Sequence, residues 1–448
     1  MAHRSQKNII TSLKSARIDF GLTQQQLAKK TGVPRTTISK IEAGFRNTTV
    51  NTILDLAKAV NLDLRLVKQE VLRKTKNMER GFTTLNNVYI DSAAILSNYN
   101  FFKNKFKNKD IWPVLKANAY GHGIEPITTI LSKVKPTFMV VDSYYEALQI
   151  WKISPNQQIL LIGALSPHNY PNINFTKISL TVFDISSLKY LGKLNKEVRI
   201  HLKVNTGFNR QGIKLDQIEK FCIELKKYPQ VKLEGLMSHL ANADEPDDKF
   251  TKSQEKEFDQ VIKLITSHGL KPKHIHLSAT AGSFTANDSS SNAIRLGIGL
   301  YGYNPLPHNH AQYNKIKIRP ALTIASSITN IINIKKGDQV SYNGTYKASK
   351  DMKVGVLPLG YFEVFDRKLS NQGVVKFKDT TCPIIGNICM NMTTFDLKNL
   401  KAQLYDTVKV ISTNPADKNS IYQIAKMTET IPYEVLTRIN QNIRRNII

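Results

Sequence analysis

The sequence has few cysteines and no long hydrophobic run. Its three cysteines, Cys222, Cys382 and Cys389, are widely scattered among 448 residues, which excludes a disulfide framework and gives no spacing typical of a metal site. No stretch approaches the ~20 consecutive apolar residues of a membrane-spanning helix, and the first eighty residues contain no signal-peptide core. We therefore expect a cytoplasmic protein with packed thiols, no metal and no membrane contact.

Acidic residues are scarce as well. The sequence contains 35 Asp and Glu residues and 63 Lys and Arg residues, which gives a formal net charge of +28. The excess is uneven, because residues 1–76 hold 15 basic and 5 acidic side chains, a net of +10 in about a sixth of the chain. Such a surplus indicates a Lys-rich surface or affinity for nucleic acid, and its concentration places candidate DNA contacts in the N-terminal segment.

The N-terminal segment has the pattern of a small helical domain. Residues 7–20 show helical periodicity. In the following string, LTQQQLAKKTGVPRTTISKIEAG, Thr23 can cap a helix while Gln26 reaches back to it. That helix should run to about residue 31, Gly32 permits a left-handed turn, and the next helix begins near Pro34. The residues expected to form its core are Leu27, Ala28, Val33, Ile38 and Ile41.

Over about residues 7–66 this segment resembles the phage-repressor-like helix-turn-helix family. The resemblance places four side chains on positions that contact DNA in that family: Gln24, Arg35, Thr36 and Lys40. The alternative is a helical bundle used for protein contacts. Residues 68–84 are charged and lack apolar periodicity, so they are predicted to link a domain at 1–67 to the rest of the chain.

From residue 85 onward, apolar strand-like runs alternate with amphipathic helical patterns. Eight such runs predict an α/β TIM barrel over residues 85–315. The predicted strands are 111–119, 137–143, 158–164, 178–184, 198–205, 233–240, 274–280 and 292–299. The pattern then changes to short alternating strands and turns, which predicts an all-β C-terminal domain over residues 316–448.

Basic and polar side chains are predicted at the C-terminal strand ends, where barrel enzymes place their active sites. Lys116 lies late in the first predicted strand, Lys203 late in the fifth, and His239 late in the sixth. Thr280 closes the seventh. Arg295 lies within the eighth, and Arg210 follows the fifth. A rim rich in cationic groups and poor in carboxylates favours an anionic ligand such as a phosphate or an amino-acid carboxylate.

The string VLKANAYGHG at 114–123 resembles the alanine racemase motif whose lysine binds pyridoxal phosphate covalently. Further strings follow in the order of that family: HLKVNTGFNRQG (201–212), EGLMSHLANADE (234–245), IRLGIGLYG (294–302), VSYNGTY (340–346), ICMNM (388–392) and IPYEVL (431–436). The similarity covers about residues 85–448. It implies a pyridoxal phosphate-dependent racemase that supplies D-alanine for peptidoglycan, as a homodimer with active sites shared between subunits.

The resemblance also implies roles for single residues. Lys116 would act as acid and base on one face of the substrate, and Tyr342 of the partner subunit on the other. Arg295 would face the pyridine nitrogen of the cofactor, with His239 orienting Arg295. The cofactor phosphate would be bound by Tyr120, Thr280, Tyr433 and the backbone of Gly297 and Ile298.

Substrate binding is implied for two further residues. Arg210 would meet the substrate carboxylate or the phenolic oxygen of the cofactor, and the backbone N–H of Met390 of the partner subunit would help to bind the carboxylate. Lys203 matches a position that is often carbamylated in the family, where it orients Arg210.

Several positions depart from the family pattern. GYFEVFDR (360–367) places Phe362 and Glu363 where the family commonly has GYADG, and Asn391 stands in place of an aspartate. Thr280 replaces a serine and Ala279 an asparagine. Two alternatives therefore stay open: a serine or broad-specificity racemase on the same scaffold, and a transcription factor whose cofactor domain is a sensor. Enzyme and DNA-binding functions can also coexist, with DNA binding responding to alanine or to cofactor.

Overall fold

The computed structural model describes residues 13–43, 49–60, 83–245 and 248–448. The chain divides into two compact units, Met1–Thr83 and Thr84–Ile448, and each has a hydrophobic core of its own. The start of the helix predicted at 7–20 and nearly all of the predicted linker at 68–84 lie outside the described residues. Within the described part of the chain, no helix is both long and apolar enough to cross a membrane.

The N-terminal unit confirms the predicted helix-turn-helix. Its helices are α1 (residues 13–19), α2 (Gln24–Thr31), α3 (Arg35–Glu42) and α4 (Val50–Ala59). The predicted cap is present, because the Thr23 side chain accepts from the Gln26 N–H at 3.2 Å while the Thr23 N–H donates to Gln26 Oε1 at 2.8 Å. Gly32 follows α2 with φ of 72°, the left-handed conformation that glycine adopts at low cost.

A mostly buried ion pair joins α1 to α3 in this unit. Arg17 Nε lies 2.5 Å from Glu42 Oε1, and the two side chains are 11% and 7% exposed. Gln24 of α2 donates its amide to Glu42 Oε2 at 2.9 Å, so one carboxylate binds groups from two other helices. Burial alone raises the pKa of Glu42, but the hydrogen bonds from Arg17 and Gln24 outweigh it and hold that pKa below its usual value.

The second unit begins with a barrel, and the structure confirms all eight predicted strands as shorter segments. In chain order the elements are β1 (Asn86–Ile90), α5 (Ser92–Lys105), β2 (Asp110–Pro113), α6 (Ile124–Leu131), β3 (Met139–Val141), α7 (Tyr144–Ile153), β4 (Ile159–Leu161), β5 (Ile178–Val182), α8 (Ile185–Gly192), β6 (Val198–Lys203), α9 (Ile218–Leu225), β7 (Val231–Met237), α10 (Lys249–Ser267), β8 (His274–His276), α11 (Gly282–Thr285) and β9 (Ala293–Leu296).

The barrel strands form a parallel ring. Strands β3 to β8 make one sheet in sequential order, and β2 pairs with β9 in parallel. A parallel bridge between Val114 and Val140 joins β2 to β3, and the Arg295 N–H donates to Ser278 O at 3.1 Å where β9 follows β8. Helices between the strands cover the outside of the ring, as the alternating pattern predicted.

An all-β domain follows the barrel, as predicted. Its elements are β10 (Leu322–Ser327), β11 (Asn330–Ile334), β12 (Gln339–Val340), β13 (Tyr346–Lys347), β14 (Met352–Leu357), β15 (Val374–Phe377), β16 (Thr380–Pro383), β17 (Thr393–Asp396), β18 (Thr407–Ile411), α12 (Ile421–Met427), α13 (Pro432–Thr437) and β19 (Arg444–Ile447). The largest sheet of this domain has the strand order β16-β15-β18-β10-β1-β19.

Strand β1 belongs to this C-terminal sheet although it lies inside the range 85–315 that was assigned to the barrel. It pairs antiparallel with β10 and parallel with β19, so the first and last strands of the unit are neighbours. The sequence pattern identifies a strand but not its pairing partner, because a half-buried strand shows the same alternation in either sheet.

Candidate active site

The polar residues that the sequence singled out in the barrel lie at the C-terminal ends of its strands. Lys203 is the last residue of β6 and Arg295 lies within β9. For three others the predicted placement in a strand is wrong: Lys116 begins a short helical turn after β2, and His239 and Thr280 lie in the loops after β7 and β8. The apolar runs extend beyond the points where the chain leaves the sheet, which is why the sequence overestimates strand length.

Lys116 opens a left-handed turn. The four residues after it, from Ala117 to Tyr120, all have φ between 51° and 53°, a region that non-glycine L-residues avoid at a cost of roughly 1–2 kcal/mol each. Local bonds hold the turn: Ala119 N–H donates to Leu115 O at 2.8 Å, and Ile124 N–H donates to Asn118 Oδ1 at 3.0 Å. Backbone strain of this size concentrates at functional sites.

Arg445 of β19 fixes the end of this turn. Its Nη2 and Nε donate to Gly121 O at 2.8 Å and 3.1 Å, and its Nη1 donates to Ile443 O at 2.8 Å. These acceptors are backbone carbonyls rather than carboxylates, and burial lowers the pKa of Arg445 to about 10. No local pattern indicates this role, because Arg445 and Gly121 are 324 positions apart.

Gly121 is required by close packing as well as by its φ of 77°. A Cβ at this position would overlap Leu436 O, a backbone atom that cannot rotate away. Gly269 has the same φ of 77° with nothing within 4 Å of a Cβ. We expect Gly121→Ala to lower the free energy of unfolding by about 1–3 kcal/mol more than Gly269→Ala, measured by urea denaturation. Equal losses would show that the contact with Leu436 can relax freely.

Arg295 lies at the centre of the site and is 4% exposed. Its Nη1 donates to His276 Nδ1 at 2.7 Å, and its Nη2 lies 3.2 Å from His239 Nδ1. Further bonds from Nη1 and Nη2 reach the carbonyl oxygens of residues 238, 276 and 277. Burial lowers the pKa of Arg295 to about 10 and that of His239 well below its usual value, so the arginine is charged and the histidine neutral near pH 7.

A cradle of neutral donors lies close to the Lys116 turn. A Cβ on Gly297 would lie 2.9 Å from Tyr120 Oη and 3.9 Å from Thr280 Oγ1, so the absence of a side chain there leaves room beside two hydroxyl groups. The rings of Tyr120 and Tyr433 are 6.1 Å apart. Ile298 begins a 3₁₀ turn, and the first N–H groups of a helical turn have no acceptor within it.

Lys203 and Arg210 add positive charge to the same site. Burial, together with the charges of Arg210, Arg295 and Lys116, lowers the pKa of Lys203 to about 8. Lys203 Nζ donates to Gln211 Oε1 at 3.3 Å, and the Arg210 guanidinium lies 4.2 Å from the centre of a phenylalanine ring. At pH 7 a pKa of about 8 leaves about one tenth of Lys203 as the uncharged amine, far more than for an ordinary lysine.

Tyr342 and Met390 lie on the C-terminal domain, where they are 68% and 55% exposed. Ser341, next to Tyr342, has φ of 62° and ψ of −171°, a conformation otherwise almost confined to glycine. Asn387 Nδ2 donates to Tyr342 O at 2.8 Å and supports this turn. Within the described part of the chain, neither Tyr342 nor Met390 makes a hydrogen bond to the Lys116 turn.

Two positions that depart from the family pattern contact each other. Asn391 Nδ2 donates to Glu363 Oε1 at 2.6 Å, and Glu363 Oε2 accepts from the Gly360 N–H at 2.8 Å. The backbone N–H of Phe362 donates to Met390 O at 2.9 Å, so hydrogen bonds join the segments 360–363 and 389–391 to each other. The residues at positions 363 and 391 are therefore direct hydrogen-bond partners.

Comparison with known proteins assigns both units to families. Residues 90–305 match the alanine racemase N-terminal domain, residues 321–447 match the alanine racemase C-terminal domain, and residues 13–67 match a helix-turn-helix domain. An alanine racemase from Lactobacillus acidophilus is 36% identical over 373 residues, which is 80% of this chain and 96% of that protein. One from Staphylococcus carnosus is 31% identical over 80% of this chain and 93% of its own length.

Solved structures agree with this assignment. The alanine racemase of Bacillus anthracis, determined with bound L-Ala-P, is 26% identical and superimposes with a TM-score of 0.75 over 82% of this chain and 96% of its own. That of Clostridium difficile 630 is 25% identical, with a TM-score of 0.76 over the same shares. The chain therefore belongs to the alanine racemase family of pyridoxal phosphate-dependent isomerases, with a helix-turn-helix domain preceding the barrel.

Proposed function

We propose that the protein interconverts L-alanine and D-alanine with pyridoxal phosphate as its cofactor, and so supplies D-alanine for peptidoglycan. The observation that carries the proposal is the position of Lys116: it begins the turn that carries Tyr120 of the donor cradle, and its charge, like that of the buried Arg295, acts on Lys203. Similarity to alanine racemases over about four fifths of the chain supports it.

The donor set fits this cofactor. Tyr120, Thr280, Tyr433 and the backbone of Gly297 and Ile298 offer hydroxyl and amide groups to a phosphate, with a glycine where a side chain would meet the Tyr120 hydroxyl. When bound, pyridoxal phosphate accepts electron density from the substrate and so makes its α-proton removable. Lys116 would hold the cofactor. His239 and Arg295 would lie beside the pyridine ring of the cofactor. An arginine there does not readily release a proton to the ring nitrogen.

Two groups would move the proton at the α-carbon. Lys116 would serve one face and Tyr342 of the partner subunit the other. The exposed apolar surface around Tyr342 supports a dimer, because Tyr361, Phe362 and Met390, on linked segments, are 44–55% exposed, and such patches on a folded chain usually mark an interface. The backbone of Met390 of the partner subunit would bind the substrate carboxylate together with Arg210.

Lys203 is proposed to be carbamylated. Its lowered pKa supports this, since the uncharged amine is the form that adds to CO₂, with loss of one proton. The carbamate would replace one positive charge by a negative charge in a site that also contains Lys116, Arg210 and Arg295, and it would give the Arg210 guanidinium an anionic partner.

The activity is tested by incubating purified protein, loaded with pyridoxal phosphate, with single L-amino acids and following the loss of optical activity. We expect alanine to be racemised fastest, with kcat/KM at least about tenfold above that of serine. A higher rate for serine would identify the protein as a serine or broad-specificity racemase. Absence of racemisation for every amino acid would contradict the proposal.

We further propose that the N-terminal unit binds DNA. Arg35, Thr36 and Lys40 are exposed on α3, the second helix of the helix-turn-helix, where side chains can reach base edges and phosphates. Gln24 would contact DNA only through the part of its amide that its bond to Glu42 leaves free. A dimer carries two copies of α3, which suits a site with twofold symmetry.

Lys40→Ala is expected to weaken binding to the DNA upstream of the coding region, because it removes a cation from the helix that would meet phosphates. The slope of log affinity against log salt concentration should fall by about 1. Lys58→Ala, which removes an exposed lysine from α4, is the matched control and should change the slope much less. Binding is measured by fluorescence anisotropy across salt concentrations. Equal effects of the two substitutions would indicate that the DNA-contacting surface does not lie on α3.

The proposal also includes regulation, in which the DNA affinity of the full chain would respond to alanine or to the cofactor. The observation that supports it is the presence of both domains in one chain. The same anisotropy titration, with and without D-alanine and pyridoxal phosphate, tests it. Identical affinities under all conditions would leave DNA binding and catalysis as independent functions.

A further inference from the structure

A chain of buried polar groups crosses the barrel interior from Arg295. Arg295 Nη1 bonds to His276 Nδ1 at 2.7 Å, His276 Nε2 lies 2.8 Å from His201 Nδ1, and His201 Nε2 lies 3.4 Å from Glu234 Oε2. Both histidines are fully buried and Arg295 nearly so. The side chain of Glu234 is 14% exposed. We call these four residues the Arg295–Glu234 chain.

The two ends of the Arg295–Glu234 chain determine which nitrogen of each histidine ring carries the proton. A guanidinium has only donors, so Nδ1 of His276 must accept and the proton of its ring is on Nε2. That Nε2–H donates to Nδ1 of His201, whose own proton is then on Nε2 and points to Glu234. Both histidines are neutral near pH 7, because burial lowers the pKa of each. One tautomer of each ring satisfies every bond in the chain.

Glu234 is the anionic end. Burial alone raises the pKa of Glu234, but hydrogen bonds from His201 and Ser179 and the charge of Arg199 lower it to about 2, so the carboxylate is charged throughout the neutral range. Arg199 Nη1 lies 3.5 Å from Glu234 Oε1. Ser179 donates to Glu234 Oε2. Charges act strongly on buried neighbours, since little solvent screens them.

Aromatic and imidazole rings enclose the middle of the chain. The Trp112 ring is centred 4.8 Å from that of His276 and 5.9 Å from that of His201, and Phe138 lies 5.7 Å from His201. A third histidine, at position 274, stacks on His201 at 6.0 Å, and its lowered pKa, about 4, keeps it neutral as well. A Cβ on Gly235 would overlap the His201 ring. The rings therefore have little freedom to turn.

We propose that Glu234 is a positioning residue for the cofactor, acting on Arg295 through His201 and His276. This inference rests on the proposed function. By fixing the tautomer of His276, Glu234 maintains an acceptor for Nη1, which holds the guanidinium in one orientation. Among the residues that the structure describes, the side chain of Arg295 makes its hydrogen bonds through its two terminal nitrogens alone. The Nε–H is then the donor left for the pyridine nitrogen of pyridoxal phosphate.

Glu234→Gln tests the proposal, because it keeps the size of the side chain and removes the charge that selects the tautomers. An amide can offer either its oxygen or its N–H₂ to His201, so this end no longer selects one tautomer, and the form that turns a donor of His276 toward Arg295 loses its penalty at position 234. We expect the dissociation constant for pyridoxal phosphate to rise about tenfold or more, in titrations of the apo-protein. The free energy of unfolding of the apo-protein is measured in parallel, since a purely structural role would change that value alone.

Ser179→Ala is the matched control. It removes a hydrogen bond from the same carboxylate but leaves its charge and its contact with His201. We expect its dissociation constant to stay within about twofold of the unchanged protein, and Glu234→Asp to restore much of the affinity that Glu234→Gln loses. If Glu234→Gln does not fold, His201→Phe interrupts the chain with a ring of similar shape and should weaken cofactor binding by a similar factor.

Two outcomes overturn the proposal: a folded Glu234→Gln protein that binds the cofactor as tightly as the unchanged protein, or an equal loss for Ser179→Ala. If Glu234→Gln fails to fold, unchanged binding by His201→Phe overturns it. Failure of the proposed function is distinguishable, because the unchanged protein would then not bind pyridoxal phosphate at all.

Discussion

Lys116→Ala is expected to lower kcat/KM for alanine by at least ~10⁴-fold in both directions. On the proposed function, the substitution removes the amine that would hold the cofactor and, with it, one of the two groups that would move the α-proton, and a positioned acid or base alone contributes about 10²- to 10⁴-fold. The cofactor-loaded protein should also lose the visible absorbance of covalently bound pyridoxal phosphate and should not be labelled by borohydride reduction. Rates are measured from each enantiomer by the change in optical rotation.

Two controls separate the chemistry of Lys116 from its charge. Lys116→Arg keeps a cation beside Lys203, Arg210 and Arg295, yet a guanidinium does not lose a proton at neutral pH, so it should be as inactive as the alanine variant. Lys103→Ala removes an exposed lysine of α5 and should leave the rate unchanged. Retention of substantial activity by Lys116→Arg would mean that position 116 contributes only charge.

Tyr342→Phe is expected to lower kcat/KM by about 10²- to 10⁴-fold, because the hydroxyl proposed to serve the second face of the substrate is lost. The loss should be one-sided. In D₂O, the enantiomer served by Lys116 should still exchange its α-hydrogen for deuterium, while the other should not. Proton NMR of each enantiomer measures this. Tyr361→Phe, at a neighbouring exposed tyrosine, is the control. Equal retention of exchange for both enantiomers would exclude Tyr342 as the second group.

Mixed dimers test whether one site uses residues from two chains. A dimer of one Lys116→Ala chain and one Tyr342→Phe chain would contain one site with both groups intact and one with neither. Random exchange of subunits between equal amounts of the two inactive proteins makes half of the dimers mixed, which should restore about one quarter of the original activity. A mixture in which exchange is demonstrated and activity stays absent would show that each site uses residues of one chain.

The helix-turn-helix was predictable in detail because its determinants are local. Thr23 and Gln26 are three positions apart, and Gly32 lies directly after the helix that it ends. Such contacts are encoded by short spacings that a sequence displays directly. The bond between Gln24 and Glu42 was missed, since it depends on how α2 and α3 pack rather than on either helix alone.

The barrel was predictable in number and order of strands but not at their ends. Hydrophobic runs identify buried strands. The end of a strand, however, is its last hydrogen bond to a neighbouring strand, which depends on where the backbone turns away from the sheet. At Lys116 it turns into a left-handed conformation that residues such as Ala117 and Ala119 rarely adopt. No local pattern predicts this, because the turn depends on distant contacts such as the one between Arg445 and Gly121.

The rest of the site depends on contacts between residues far apart in the sequence. The motifs identified Arg295 and His239, but His201, His276 and Glu234 stood in strands as ordinary members of an alternating pattern. Their connection required the register of β6, β7 and β8, which brings three strands side by side. Sequence reasoning recognises residues that belong to a known motif more readily than the groups that support them.

The pairing of β1 with β19 and the bond from Arg445 to Gly121 have a consequence for biosynthesis. The turn that begins at Lys116 is synthesised early, whereas Arg445, which binds the end of that turn, lies 324 positions after Gly121. Domains tend to fold as units while the chain emerges from its N-terminal end. The bonds from Arg445 to Gly121 can therefore form only after residue 445 has been synthesised, so the turn lacks them while the barrel strands emerge.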